Sequence, residues 1–488
     1  MKKTILLLVI LSLVVPVAAL AAVSMPTKPD AIEFSLGGFI KMDGMWDTQT
    51  VDKNLVSKMY RNNDGYNGVH GHLRGMATGS RFNFTIKGPK VFGAQVTGFI
   101  EADWDTLGAS TPPGVASDST DAGAFRLRHA MFRLNWPETE LMFGQYWSFF
   151  SEFFPEVAAD GGGQYRGVNV YRPAGVRLTQ KFLGWGTAAF MVATPRQATA
   201  REGATTTNDQ SERAETPHLE GKLAFEQNVY GKAPYYGNPR GLVAQVVAGW
   251  QRSNTTPLTA QNANVARPTW GNATYGTQLI SNPDHQYMDH WSVMGTLFIP
   301  VLTTQTANLA GTASILTQWS IGEGQGFVLG TWLTDDAFMQ YSETRLVGST
   351  NYSVFRRKLT PSFTGFVQAQ YYYTNELFAT FCWGFMRNYG IGMDRITPGG
   401  LFRSAMVDAA VTAAGNSDMT KYSNQYNTTL WYQPIKAVKF GVSYVYTQDR
   451  YIQSSTSLTA AAPLAASPAG STSFGQNHRV EFCGFFFF

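Results

Sequence analysis

The chain has 488 residues with a formal net charge of +4, and 14% of its residues are aromatic. So small a net charge gives no reason to expect a nucleic-acid partner, which would require a clear excess of basic residues. Its two cysteines do not occur in a Cys-x-x-Cys-His sequence, which excludes an attached c-type haem. Abundant glycine and aromatic residues, with a mean hydropathy just below zero, are typical of strands that face lipid on one side and water on the other.

The first 22 residues have the order of a secretion signal. Two lysines precede an apolar run over 5–15, and small residues follow up to Ala22. The apolar run is about half as long as the roughly 20 residues that a membrane-spanning helix needs. We therefore predict a cleaved signal peptide over 1–22 and a short N-terminal segment over 23–31.

From residue 32 onward, short segments alternate between apolar and polar residues with a period of two, which predicts β-strands. The first has the apolar set Phe34, Leu36, Ile40, Met42 and Trp46 and the polar set Glu33, Ser35, Lys41, Asp43 and Asp47. No later stretch reaches the roughly 18 continuous apolar residues of a membrane helix, so a chain in a membrane would have to form a closed β-barrel. An exported soluble β-sandwich array would share this composition.

We predict an all-β fold, a transmembrane antiparallel β-barrel over 32–488 with about sixteen strands and an infolded constriction loop. The predicted strands are 32–48, 80–88, 93–105, 124–136, 139–147, 168–182, 185–194, 217–229, 241–252, 287–299, 312–320 or 326–333, 363–374, 377–388, 421–432, 437–449 and 474–488. Tight links, among them Lys87-Gly88-Pro89-Lys90, alternate with long polar loops, which is the habit of outer-membrane barrels with short periplasmic turns. The two candidates within 300–333 leave eighteen strands open, and 401–410 has helical character.

The last nine residues form an aromatic strand that ends on Phe488. This ending resembles the C-terminal signal by which the barrel assembly machinery recognises outer-membrane barrels. In a soluble protein the same segment would be an aggregation-prone edge strand, whereas a barrel pairs it with the first strand. We therefore predict the outer membrane of a Gram-negative bacterium, with outer-membrane lipid around the barrel. The assigned strands separate Cys382 from Cys483, so we expect no disulfide.

Three segments carry a family resemblance. They are Gly37-Gly38-Phe39-Ile40-Lys41-Met42-Asp43, Phe125-Arg126-Leu127-Arg128-His129-Ala130 and Phe143-Gly144-Gln145-Tyr146-Trp147-Ser148-Phe149-Phe150. Their order and spacing resemble the DcaP-like trimeric outer-membrane porins and, more distantly, the phosphate-selective porin O and P family. The resemblance implies a homotrimer of sixteen-stranded barrels that passes small hydrophilic solutes, often anions such as dicarboxylates.

The charged residues on the polar faces of neighbouring strands are candidates for the lining of a pore. Glu101, Asp103 and Asp105 share a face of the third strand, and Arg126 and Arg128 share a face of the fourth. Such charges would set a field across the pore, or would only satisfy one another as part of the wall. By simple alternation Arg133 falls on the opposite face from Arg126.

Residues 148–163 are the candidate for a loop that folds into the barrel, because their apolar side chains would be poorly placed in water. Such a loop would hold Glu152, Glu156 and Asp160 in the lumen, while the glycine run at its end permits unusual backbone angles. The alternative is an external loop that packs on a trimer neighbour.

Four basic residues follow this loop: Arg166, Arg172, Arg177 and Lys181. Arg177 and Lys181 alternate with apolar residues, which places both on the polar face of their strand. An arginine suits carboxylate or phosphate because its planar fork donates hydrogen bonds in pairs. Spacing leaves open whether Arg166, Arg177 and Lys181 serve a solute or the acidic loop.

A passive porin, which needs no cofactor or metal, is the function that the sequence favours. An enzyme barrel would need a catalytic constellation, and the seven histidines stand in no recognised motif. The pairs His70 with His72 and His285 with His290 have no clear third ligand for a metal. The remaining alternative is a barrel sheath or adhesin whose loops or inserted partner carry the function.

Overall fold

The computed structural model describes residues 32–49, 51, 59, 70–104, 125–158, 166–196, 215–255, 268–269, 272–275, 278–281, 286–329, 338–347, 350–389, 420–451 and 474–488. The predicted signal peptide, the segment 23–31, the 401–410 helix, Asp105 and Asp160 lie outside these residues. Within the described residues, one large antiparallel sheet contains most of the chain. No helix among them is long and apolar enough to cross a membrane.

The large sheet is a barrel of sixteen strands, since the segments His72–Met76 and Arg81–Val91 both pair with the first strand and together form one interrupted strand. The strands are β1 Glu33–Asp47, β2 His72–Met76 with Arg81–Val91, β3 Ala94–Asp103, β4 Arg126–Asn135, β5 Thr139–Gln145, β6 Ala174–Phe182, β7 Gly186–Ala193, β8 His218–Gln227, β9 Leu242–Thr255, β10 Gln286–Leu302, β11 Ala313–Glu323, β12 Pro361–Tyr372, β13 Leu377–Asn388, β14 Thr420–Ile435, β15 Val438–Tyr451 and β16 Phe474–Phe487.

The predicted fold class is confirmed, and the competition within 300–333 is resolved. Ala313–Glu323 is the strand, whereas Gln325–Leu329 is a short helix, α1, that packs inside the barrel. The described residues therefore form sixteen barrel strands, and the eighteen-strand alternative is wrong. Small separate sheets occur within the connections β9–β10 and β11–β12.

The two faces of the wall follow the alternation in the sequence. On β1 the Met42 side chain is 61% exposed on the outer face, while Asp43 is 1% exposed on the inner face. On β11 Trp319 is 47% exposed and the neighbouring Gln318 is fully buried. A closed wall with an apolar outer face is the only strand arrangement that satisfies the backbone in lipid. The fold therefore confirms the predicted location in the outer membrane.

Two of the tight turns use the same backbone geometry. Phe92 and Gly93 join β2 to β3 with φ of 51° and 77°, and Leu183 and Gly184, followed by Trp185, join β6 to β7 with φ of 54° and 72°. Positive φ at both central residues defines the turn whose twist matches that of a hairpin. The turn predicted at Lys87-Gly88-Pro89-Lys90 is wrong, because that segment is an irregular part of β2 where the register with β3 shifts.

The seam between the first and last strands ends at Phe488. Its amide donates to the carbonyl of Gly38, and the Gly38 amide donates to the carbonyl of Phe488, both at 3.2 Å. Beyond this pair, β1 and β16 stay in register from Phe39 and Phe487 onward. Phe488 thus makes the last pair of backbone hydrogen bonds between the first and last strands.

Deleting Phe488 is expected to slow assembly, because closure loses both terminal hydrogen bonds. The rate at which the unheated protein acquires altered gel migration measures this in reconstituted membranes. Phe486→Ala is the control, since it removes an exposed lipid-facing ring but keeps the hydrogen bonds between Gly38 and Phe488. Assembly of the truncated chain at the wild-type rate would contradict the role of Phe488.

Candidate pore constriction

The chain between β5 and β6 folds into the barrel, as predicted, and we call residues 148–158 and 166–173 the infolded loop. It begins at a short helical turn, Phe149–Ser151, whose preceding Ser148 hydroxyl accepts from the amide of Phe150. The loop then crosses the interior. The inner walls that it contacts belong to β8, β12, β13, β15 and β1, through Glu220, Gln368, Thr380, Lys439 and Lys41 respectively.

Apolar side chains hold the infolded loop against the wall from β7 to β13. Phe149 and Phe150 are fully buried among Met191, Val247, Met294 and Val328 of the wall and of α1. Phe153 and Val157 are buried against Val243, Phe298, Leu316 and Phe366. Each buried Phe contributes about 1.5–3 kcal/mol relative to exposure, which explains why these residues are inside a barrel rather than in external water.

The acidic residues of the infolded loop lie inside the barrel but are paired with wall lysines. The Glu152 carboxylate is 2.6 Å from Lys222 Nζ on β8. Glu156 is buried, where it contacts Lys439 of β15 and accepts from Gln370 Nε2 at 2.7 Å. These carboxylates therefore fasten the loop, and their part in ion selection stays a prediction.

The returning half of the infolded loop is fastened as well. The Arg166 guanidinium is buried, donating to Asp449 Oδ2 at 2.9 Å and to Ser423 Oγ at 3.0 Å. At Gly167, with φ of 82°, a Cβ would lie 1.8 Å from the carbonyl oxygen of Gly365, so only glycine permits this approach to β12. Arg166 thus holds the loop to the wall, whereas the sequence left open a role in solute contact.

The wall formed by β2 to β6, by contrast, carries a cluster of arginines. We call Arg81, Arg126, Arg128, Arg133, Arg172 and Arg177 the arginine wall. Five belong to strands β2, β4 and β6, while Arg172 belongs to the end of the infolded loop. The contacts described above for the first half of the loop are with other parts of the wall, and of the arginine wall the Arg177 guanidinium lies 5.3 Å from the Phe149 ring. The loop therefore packs on the other side of the interior.

A register shift in β4 explains how so many arginines reach the lumen. Glu101 pairs with His129, but the next residue, Ala102, pairs with Leu127, so Arg128 is an extra residue opposite β3. Such a bulge reverses the alternation. The predicted outward placement of Arg133 is therefore wrong, because its guanidinium contacts the inner residues Glu140 and Tyr146.

Carboxylates pair with part of the arginine wall. Arg126 donates from Nε and Nη2 to the two oxygens of Asp103, each at 2.8 Å. Arg128 donates to Glu101 and to Asp103, each at 2.6 Å. On the periplasmic side of this group, Glu140 lies 3.1 Å from Arg133 and 3.4 Å from Arg177. The charges therefore pair with one another on the inner face, and a field that they set across the pore stays a prediction.

Aromatic rings order the same guanidinium groups. The Trp147 ring lies 4.7 Å from the Arg172 guanidinium and 5.6 Å from that of Arg128. The neighbouring Tyr146 ring lies 5.7 Å from Arg133 and 5.5 Å from Arg177. Stacking on a ring engages the face of a guanidinium and leaves its N–H edges for anions. The segment Tyr146-Trp147, noted for its family resemblance, therefore positions the arginines.

Positive charge is in surplus on this wall. Four of the six arginines contact three described carboxylates, Glu101, Asp103 and Glu140, while Arg81 and Arg172 lie against aromatic rings. Among the described residues, six positive charges therefore stand against three negative ones, a surplus of three. Burial, and after it the neighbouring Arg128, lower the pKa of Arg172. Within the described part of the chain, Nη2 of Arg128 and Nη1 of Arg172 have no hydrogen-bond acceptor.

Lys181 extends the basic face toward the periplasmic end. It lies four residues beyond Arg177 on β6, about 13 Å along the strand, and its side chain is exposed. Its predicted location on the inner face agrees with the parity of Arg177, although no described side chain pairs with it. A role for Lys181 in the ion path stays a prediction.

Two groups resemble catalytic pairs but are buried. Glu220 accepts from Ser148 Oγ at 2.6 Å and lies 2.7 Å from His218 Nε2, while Ser253 Oγ lies 2.7 Å from His290 Nε2. All five side chains are at most 1% exposed, so they fasten inner segments and have no access for a substrate. No group of three or more His, Cys, Asp or Glu residues in the described ranges is placed to hold a metal ion. Cys382 and Cys483 are not disulfide bonded.

No family model matches the chain, and the comparison with curated proteins found no match. Among solved structures, it is similar to the outer membrane channel DcaP of Acinetobacter baumannii, with 16% identity, a TM-score of 0.58, and coverage of 94% of this chain and 97% of that one. It is also similar to the anion-selective porin from Comamonas acidovorans, with 10% identity, a TM-score of 0.47 and coverage of 94% and 100%. The likeness to DcaP confirms, at the level of the fold, the resemblance seen in the three sequence segments.

Proposed function

We propose that this protein is an outer-membrane channel for small hydrophilic solutes with a preference for anions. The observation that carries the proposal is the excess of six arginines over three contacting carboxylates among the described residues of the arginine wall, inside a closed barrel whose opposite side is filled by the infolded loop. A narrow path between low-dielectric walls focuses such charge on a passing ion. The barrel supplies the conduit, and the arginines supply the sign of its field.

The chemistry of the wall favours solutes with carboxylate or phosphate groups. Planar guanidinium groups held by aromatic rings present pairs of N–H donors to such oxygens. Asp103 and Glu101 neutralise part of the positive charge by pairing with Arg126 and Arg128. The weaker field that remains favours the passage of an anion over its tight binding. A dicarboxylate fits this pattern, and a homotrimer follows from the family resemblance.

Recordings from planar bilayers test the proposal. With a tenfold gradient of KCl, the reversal potential should have the sign of chloride preference, and a dicarboxylate in place of chloride should still carry current. Addition of a neutral disaccharide is the control for block of the channel by the size of a solute alone. A protein that inserts as a closed barrel but passes no current would support the alternative of a sheath or adhesin, and a reversal potential of cationic sign would contradict the arginine assignment.

A further inference from the structure

The connection from β8 to β9 is not a simple periplasmic turn. Residues 233–240 form a hairpin, Ala233–Tyr235 with Asn238–Arg240, that packs inside the barrel. Ala233 is fully buried among Phe153, Val243 and Phe298 in the cluster beneath the infolded loop. We call residues 233–240 the inner hairpin, and its inward course is invisible in the alternation of the flanking strands.

The wall holds the base of the inner hairpin. Lys232 exchanges two backbone hydrogen bonds with Thr304, which follows β10, at 3.0 and 2.8 Å. The carbonyl of Pro234 accepts from Ser314 Oγ of β11 at 3.2 Å. The Tyr235 ring lies edge-on to Phe298 of β10 at 5.9 Å. The hairpin is therefore fixed to β10 and β11 independently of the infolded loop.

The tip of the inner hairpin contacts the middle of the infolded loop. The Phe154 amide donates to Tyr235 Oη at 3.1 Å, and Tyr236 Oη donates to the carbonyl of Pro155 at 3.0 Å. The Arg240 guanidinium lies 4.7 Å from the Phe153 ring. Residues 153–157 of the loop have no regular secondary structure. Their backbone groups thus depend on partners outside the loop, and the hairpin supplies two of them.

The hairpin turn has positive φ at both central residues, 48° at Tyr236 and 72° at Gly237. Asn, Asp or Gly is preferred at the first of these positions, where a bulky residue is strained. The two other turns of this kind place Phe92 and Leu183 on the exposed rim, whereas Tyr236 reaches inward to the loop. The hydrogen bond from the Tyr236 hydroxyl to the infolded loop therefore explains a tyrosine at this strained position.

We propose that the inner hairpin braces the infolded loop from the periplasmic side, with Tyr235 and Tyr236 as positioning residues that set the width of the constriction. Ser148 and Phe149 are held by Glu220, and Glu156 is held by Lys439. Between these two attachments, Phe154 and Pro155 are held by the two tyrosine hydroxyls. This middle attachment adds to the Glu152–Lys222 pair and to the burial of Phe153, and it is what fixes the backbone at Phe154 and Pro155. The proposal rests on the channel function proposed above.

Tyr235→Phe, Tyr236→Phe and the double variant test the brace, because they remove only the hydroxyls. Losing one hydrogen bond shifts the equilibrium between the attached and detached loop by roughly two- to tenfold. Open-channel current noise should rise in each single variant and most in the double variant, with a changed mean conductance. Tyr230→Phe is the matched control, since Tyr230 lies in the same connection, is 48% exposed, and uses no described hydroxyl contact.

Hydrogen exchange on the peptide that covers residues 148–158 gives a second measurement that needs no current. The double variant should exchange faster at Phe154 and its neighbours by roughly the same factor, while the strands of β10 and β11 keep wild-type protection. Wild-type noise, conductance and exchange in the double variant would overturn the brace. If the wild-type protein passes no current, the channel proposal fails, while the exchange experiment still decides whether the hairpin positions the loop.

Discussion

Replacing Arg126 and Arg128 by glutamine is expected to shift the reversal potential strongly toward cation preference. The two changes reduce the surplus on the arginine wall from three positive charges to one and leave Asp103 and Glu101 without these arginine partners. A unit charge about 8 Å from the ion path changes the energy of an ion by about 0.5 kcal/mol in water and about 2 kcal/mol at an effective dielectric constant of 20. The permeability of each ion should therefore change by about twofold to thirtyfold per charge, upward for the cation and downward for the anion.

The number of charges gives this prediction a graded form. Adding Arg172→Gln to the double variant removes the last surplus charge and should shift the reversal potential further in the same direction. The shift should be largest at low salt, since the screening length falls from about 10 Å at 0.1 M to about 3 Å at 1 M. Reversal potentials in KCl gradients at both ionic strengths measure it.

Arg252→Gln is the matched control for these variants. Arg252 is paired with Asp289 at 2.7 Å, but both side chains are on the exposed outer face, so the same charge is lost outside the lumen. It should leave the reversal potential unchanged. An equal shift in the control, or no shift in the double variant, would mean that the arginine wall does not face the ion path.

The strands were predictable because their signal is local. Alternation with a period of two fixes which side chains face lipid, as Met42 and Asp43 show, and it fixes the seam at Phe488. Alternation fails where one residue is inserted. The extra residue Arg128 in β4 reverses the faces beyond it, so Arg133 was assigned to the wrong side. A bulge leaves little trace in the composition of a strand.

The partners of the site residues were not predictable for a different reason. Glu156 and Lys439 are 283 positions apart, and nothing in either local sequence indicates the other. The same holds for the inner hairpin, whose inward course depends on contacts with Thr304 and Ser314, which lie far from it in the sequence. Short segments such as α1 also take their structure from tertiary contacts, which outweigh weak local preferences.

Lys439→Met is expected to release the infolded loop and raise the mean conductance. Lys439 contacts the Glu156 carboxylate and lies 4.0 Å from the Trp431 ring, within a buried cluster. Removing one partner of a buried pair costs about 3–5 kcal/mol, because the remaining charge is left without compensation. The remaining hydrogen bond from Gln370 to the Glu156 carboxylate contributes about 1.5–3 kcal/mol, because its acceptor is charged. This contribution is smaller than the cost of losing Lys439. The single-channel conductance and its noise measure the release.

Lys222→Met separates this effect from the general loss of a lysine. Lys222 also pairs with a loop carboxylate, that of Glu152, but the two side chains are 12% and 23% exposed, so water compensates much of the loss. We expect a smaller rise in conductance than for Lys439→Met. Equal effects of the two variants would show that burial of the Glu156 pair is not what holds the loop.

The exchanged pair Glu156→Lys with Lys439→Glu decides whether the contact or the individual residues matter. The exchange keeps opposite charges at the same two positions, so it should lower the conductance part of the way from the raised level of the single variants to the wild-type level. Restoration should be incomplete, because a glutamate at 439 gives up the contact with Trp431 and a lysine at 156 cannot accept from Gln370. The losses of these two contacts are distinct from the loss of the ion pair, and a double-mutant cycle on the conductance separates them. If the conductance of the exchanged variant is as high as that of either single variant, the apolar contacts of Phe153 and Val157 hold the loop and the ion pair is secondary.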